Sequence, residues 1–206
     1  EYFDLTREGL VNAGATQSQI DATLNSLGFN NTANEDWLDN VTRQGTTQNI
    51  NVSFSGGDAK TTFYTSGGYF NQKAVIIGSD FKRYSGNINI KHKANDKLSL
   101  GVNLNGSFSK QLSPFNAGAF RNPVLSGFFL RPSQNAYNTD GTANNSPATF
   151  NQVYNPIGIL EVDREALNTV KTVSSFTGEY NLLRNLKFTS KFGVDYLLIE
   201  EDTYRN

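Results

Sequence analysis

Polar and apolar side chains alternate along six stretches of this chain. They are TTQNINVSFSG (46–56), KTTFYTSGGYF (60–70), YSGNINIKHK (84–93), KLSLGVNLNGSFSK (97–110), TVKTVSSFTGEYNL (169–182) and NLKFTSKFGVDYLL (185–198). A period of two puts successive side chains on opposite faces of a strand. Ile50, Val52 and Phe54 therefore share one face, and Asn49, Asn51 and Ser53 the other. In the third stretch Tyr84, Gly86, Ile88, Ile90 and His92 oppose Asn87, Asn89, Lys91 and Lys93. In the fourth, Leu98, Leu100, Val102, Leu104 and Phe108 oppose Asn103, Asn105 and Ser107. In the last, Leu186, Phe188, Phe192, Val194, Tyr196 and Leu198 oppose Lys187, Lys191 and Asp195. Tyr69, Tyr84, Phe108 and Tyr180 fall near strand ends, where a membrane barrel carries its aromatic girdles.

This alternation suits a soluble sandwich, which hides its apolar face, and a membrane barrel, which turns that face to lipid. The connections separate the two. Tight turns at GGDAK (56–60), ANDK (94–97) and LLRN (182–185) alternate with a medium loop, NQKAVIIGSD (71–80), and a very long one over 111–168. Short turns on one side and long loops on the other are the barrel arrangement, whereas a long loop without structure counts against a compact soluble domain. The fold class expected is all-β: an antiparallel transmembrane β-barrel segment of about six strands with long extracellular loops. The smallest single-chain barrels have about eight strands, and an open edge in lipid leaves backbone groups unpaired. The segment is therefore expected to be part of a larger barrel.

Residues 1–45 read as an extracellular loop with short helices. TQSQIDATLNSLG (16–28) opens with a capping box, Thr16 with Gln19. It sets Ile20, Leu24 and Leu27 on one helical face and ends at Gly28. NEDWLDNVTRQG (34–45) predicts a second short helix, capped by Asn34, with Glu35 and Asp36 at its positive end and Gly45 after it. The remaining divisions are barrel strands forming two hairpins over 46–110, a long extracellular loop over 111–168 and a barrel hairpin over 169–206.

Composition narrows the function. The longest apolar runs, AVII (74–77) and GFFL (127–130), are far short of the ~18 residues of a transmembrane helix. Without Cys the chain has neither a disulfide framework nor a Cys zinc site. A net charge of −1 gives no footprint for nucleic acid. The chain has no Met, and Glu1 reads as mid-sequence, so any secretory signal is expected upstream.

Candidate chemistry is sparse, and no enzyme activity, cofactor or metal site is expected. His92 stands alone at the turn end of a strand, and catalysis needs several convergent groups. Glu35, Asp36 and Asp39 around Trp37 read as a solvated helix start before a sugar or metal site. YNTDGTANN (137–145) lacks the alternating carboxylates and terminal Glu of a calcium loop, so a turn at Asp140–Gly141 is the reading. SFSGG (53–57) leads into a strand and lacks the helix N-terminus a phosphate loop needs. Trp37, Tyr137 and Tyr154 fall in the predicted outer loops and are the ligand-contact candidates; loop packing explains them equally well.

Many ordered positions resemble the SusC/RagA-type TonB-dependent outer-membrane transporters. The likeness begins in EYFDLTREGLVNAG (1–14) and is dense from Asp36: DWLDNVTRQGTTQNINVSFSGGDAKTTFYTSGGYFNQ, then IGSDFKRYSGNINIKHKANDKLSLGVNLNGSFS. YNTDGT (137–142), NPI (155–157) and LKFTSKFGVDY (186–196) are also family-like, and Lys73–Ala74 departs from the pattern at one loop tip. The resemblance implies a 22-stranded, plugged barrel in the cell outer membrane, entered by this chain at its first extracellular loop. It implies import of a glycan or peptide substrate (oligosaccharides or peptides) driven by the TonB complex, contacted through an absent upstream region. It also implies a SusD-like surface lipoprotein as lid, and outer-membrane lipid around the wall. Two other readings stay open: a soluble all-β binding module, and an outer-membrane barrel serving secretion or assembly.

Overall fold

The computed structural model describes residues 1–28, 33–114, 118–147, 149–150 and 153–204. The chain divides into two units. One comprises Glu1–Thr42 with Phe115–Val162, the other Arg43–Pro114 with Asp163–Asn206.

The second unit is a six-stranded antiparallel meander in the order β1-β2-β3-β4-β5-β6. Its strands are β1 (Thr46–Gly57), β2 (Thr61–Lys73), β3 (Asp80–Lys93), β4 (Leu98–Pro114), β5 (Arg164–Leu183) and β6 (Leu186–Tyr204). All six expected strands are present. At the end away from the tight turns they run beyond the alternating stretches: β3 begins at Asp80, β4 reaches Pro114 and β6 reaches Tyr204. The ladder stays paired there, for example Pro114 with Arg164 and Ala166 with Asp202. In Lys110–Ser113 and Glu200–Thr203 alternation fades, because mostly polar residues fall on both faces and leave no apolar side to mark.

Two tight turns share one device. Asp58 Oδ1 accepts hydrogen bonds from the backbone N–H groups of Lys60 and Thr61, at 2.8 and 2.7 Å. Asn95 Oδ1 does the same for Lys97 and Leu98, both at 2.9 Å. Such side-chain-to-backbone bonds are why Asp and Asn suit turns. They also hold the Asp58 carboxyl below its usual range, chiefly through Thr61. Gly57 has φ +155, and a Cβ there would collide with the Thr61 carbonyl. The loop after β2 is clasped by Arg43, which donates to the carbonyls of Ala74 and Ser79 and pairs with Asp80 at 2.6 Å.

In the first unit, α1 (Tyr2–Asn12) buries no residue. Helix α2 (Gln17–Ser26) has the expected capping box and buries Ile20 and Leu24. The second expected helix over 34–45 is corrected to a single 3-10 turn, Asp39–Val41. Asp36 Oδ1, rather than Asn34, takes the N–H groups of Leu38 and Asp39 at 3.1 Å each. Glu35 is drawn away to the distant segment: its Oε1 accepts from Ala136 N–H at 3.1 Å, and its N–H donates to the Pro132 carbonyl at 2.8 Å. These long-range bonds compete with helix continuation. Short helices α3 (Pro123–Gly127) and α4 (Pro156–Val162) complete the unit.

The unit's core packs Trp37, Ala136, Ala143, Phe150 and Ile157 together. Trp37 meets Phe150 edge to face, with ring centroids 5.9 Å apart, and donates Nε1–H to the Arg131 carbonyl at 3.0 Å. Asn155, 2% exposed, ties three segments: its amide donates to the carbonyls of Ala136 and Asn144 at 2.7 and 3.0 Å, and its Oδ1 accepts from Ile157 N–H at 3.0 Å. A buried polar group so fully satisfied fixes one arrangement of the loop.

Candidate functional site

Cross-strand partners lie on the same face of a sheet, so the register fixes what each face presents. One row reads Ile50–Tyr69–Tyr84–Phe108–Val170–Leu198 across all six strands. Another reads Gly56–Phe63–Ile90–Val102–Phe176–Phe192. The face assignments made from alternation therefore hold across the whole sheet. Tyr69 and Tyr84 pack at 5.2 Å at one end of the apolar face, while Tyr180 sits between Leu98 and Phe188 at the tight-turn end. Between Leu98 and Phe108 this face extends about 34 Å along the strand at ~3.4 Å per residue, or about 26 Å of height at a tilt of ~40°, close to the ~25 Å apolar band of outer-membrane barrels.

The opposite face is polar. Its rows read Ser53–Ser66–Asn87–Asn105–Val173–Asp195 and Asn51–Gly68–Ser85–Ser107–Lys171–Leu197. Asn87 donates to Asn105, which donates to Asn103 at 2.7 Å. Gly68 leaves the room into which the Asn51 amide and Ser85 hydroxyl lean; a Cβ there would come within 2.7 Å of both. The face also carries Tyr64, Phe70, Val173, Leu197 and Ile199, so it is not uniformly polar. Open hollows lie along the sheet. One, about 580 Å³, includes Asn51, Ser85, Asn87, Asn105 and Lys171 in its lining; another, about 280 Å³, includes Lys91, Gly101, Thr177 and Lys191.

The three ligand-contact candidates separate. Trp37 is 4% exposed and belongs to the core just described. Tyr137 is exposed and bridges to Ala143. The Asp140 carboxyl takes a hydrogen bond from each of the Thr142 hydroxyl and N–H, which hold it below the usual carboxylate range. Tyr154 is exposed, with the Arg121 guanidinium 4.8 Å over its ring, and its N–H donates to the Phe120 carbonyl. Phe120 stacks edge to face on Phe129 at 5.1 Å. No signal in the sequence points to Phe120, Arg121 and Phe129 as Tyr154's companions. The GFFL run marks Phe129, but nothing local to it points at residue 154. His92 shares a hydrogen bond with the Thr61 hydroxyl at 2.8 Å. Among the described residues no group of His, Cys, Asp or Glu is arranged to hold a metal ion.

Comparison with known proteins finds no matching family model. TonB-dependent receptor P3 of Formosa agariphila is 27% identical over 169 residues, which cover 78% of this chain and 16% of that protein. TonB-dependent receptor SusC of Bacteroides thetaiotaomicron is 24% identical over 184 residues, covering 80% of this chain and 18% of SusC. The chain is a homologue of the SusC-type TonB-dependent receptors. It spans under a fifth of the length of these relatives. The fold agrees: the structure of the RagAB peptide importer in the 'closed-closed' state matches at TM-score 0.64 and 22% identity, covering 84% of this chain and 20% of that one. TonB-dependent receptors are outer-membrane proteins, and the continuous apolar face of this sheet agrees with that location.

Proposed function

We propose that this chain forms part of the barrel wall and outer loops of a TonB-dependent transporter, which moves its cargo by gated passage and catalyses no reaction. The carrying observation is the sheet itself: six strands with one continuous apolar face and none of their residues buried. In water such a face would be covered; in a barrel wall lipid covers it. Segments 46–110 and 169–206 then belong to the wall, and 1–45 and 111–168 to the cell exterior.

The cargo proposed is an oligosaccharide or a peptide. A relative in structure is the RagAB peptide importer in a 'closed-closed' state, and a structure that closes is what supports a SusD-like lipoprotein as lid over this receptor. The plug and the TonB-contacting segment are proposed to lie outside these residues. In this reading Tyr154 and Tyr137, exposed on the loop unit, are available to ligand, whereas Trp37 organises the loop that carries them.

The test is topological. Single cysteines at Gly141 and at Asn95 of the full-length receptor are labelled on intact cells with an impermeant thiol reagent. Labelling at Gly141 and protection at Asn95 are expected. The reverse pattern would invert the wall and defeat the reading.

A further inference from the structure

The polar face of the sheet is unevenly charged. From the row Thr62–Lys91–Gly101–Thr177–Lys191 to the tight-turn end, its strand residues include Lys91, Lys93, Lys187 and Lys191 but a single carboxylate, Glu179. Glu179 is already engaged by Lys187 at 2.8 Å. Among the described residues neither Lys91 nor Lys191 forms an ion pair, and both side chains are exposed. They stand at opposite sides of the hollow of about 280 Å³, whose lining between them includes Gly101, Thr177 and the carboxylate of Glu179, which Lys187 neutralises. With two strands between them, they are about 14 Å apart at the backbone.

We propose that this hollow is a binding subsite for a solute carrying at least two anionic groups, such as carboxylates. Small residues between the lysines leave space for the solute's backbone, and the Asn103 amide with the Ser175 and Thr177 hydroxyls, all lining the hollow, offers neutral hydrogen bonds. The lysines supply the charge. A spacing of about 14 Å suits repeated anions: carboxylates four residues apart on an extended peptide are about as far apart. Because the hollow is open and the charges exposed, attraction is screened at high salt. The inference rests on the transporter reading, which makes this face the wall of the passage.

The probe is hexaglutamate, with hexaglutamine as the uncharged control, added to the full-length receptor in detergent at low salt. Acetylation of individual lysines by a water-soluble ester is followed by mass spectrometry, with Lys110 as internal reference. Hexaglutamate is expected to slow acetylation of Lys91 and Lys191 but not Lys110, hexaglutamine to slow none, and high salt to remove the effect. The double variant Lys91→Gln/Lys191→Gln is expected to bind hexaglutamate about tenfold more weakly, the scale of two exposed ion pairs. Unchanged acetylation of both lysines would overturn the proposal. So would both lysines being unreactive before any anion is added, since the receptor's own carboxylates would then fill the hollow. Cysteine labelling at Gly141 and Asn95 on cells expressing the same receptor separates the two failures: an inverted pattern defeats the transporter reading, and the expected pattern without protection defeats only the subsite.

Discussion

The two units solve the burial problem in opposite ways. In the loop unit Ile20, Leu24, Trp37, Val41, Ala136, Phe150, Ile157 and Ile159 are all buried, although the unit has only short helices and turns to arrange them. In the sheet unit no residue of β1–β6 is buried, although those strands carry far more regular structure and long apolar rows. Phe54, Phe192 and Tyr196 stand more than half exposed. Regular hydrogen bonding is therefore not what stabilises the sheet in isolation; its apolar face needs an environment the chain does not supply. The loop unit carries its own core.

The largest effect expected from this difference is on the chain by itself. β1 and β6 are open edges, and the apolar face is a sheet-wide patch, so the 206-residue segment placed in water is expected to aggregate. Size-exclusion chromatography checks this. A monodisperse, cooperatively melting monomer would break the comparison and revive the soluble-module reading.

Next in size is Trp37→Ala in the full-length receptor. Removing a buried Trp costs about 3–5 kcal/mol, here spent on the loop unit. Increased proteolysis within 118–147, with barrel assembly retained on a heat-modifiability gel, is the expected outcome. Loss of the barrel itself would mean the two units do not stabilise themselves separately.

A smaller effect distinguishes the loops by pH. Hydrogen bonds from Thr142 hold Asp140 below its usual range. A depressed carboxylate stabilises the fold above its unfolded pKa and loses that contribution as pH falls through the folded value. The 137–143 turn is thus expected to be intact from pH 5 to 8 and to loosen below about pH 4. Hydrogen exchange over Asn138–Thr142, corrected for intrinsic rate, reads this out, and Asp140→Asn should abolish the pH dependence.

What the sequence reveals follows the same division. Alternation between Thr46 and Lys110 is local, because each strand's faces are set by its own residues, and the register then agrees from β1 to β6. The capping box at Thr16 is local too, and so is α2. The 34–45 segment misleads because its local signals favour a helix, while Glu35 is claimed by Pro132 and Ala136 from far along the chain. For Trp37 the sequence leaves ligand contact and loop packing equally open, because its core partners, from Ala136 to Ile157, are invisible to any short window. The Arg121–Tyr154 contact is non-local in the same way. The extended ends of β3 to β6 escape notice because strand ends with mostly polar residues on both faces have no period to read.

The central claim is that the apolar face of the sheet meets lipid and the polar face does not. Arginine substitution along β4 tests it directly, using full-length receptor folded into lipid vesicles. Leu104→Arg is predicted to cost about 2–4 kcal/mol of folding free energy, the penalty for Arg near the bilayer midplane. Asn103→Arg, one residue away on the other face, is predicted to cost little. Equal losses for both, or a larger loss for Asn103→Arg, would contradict the account.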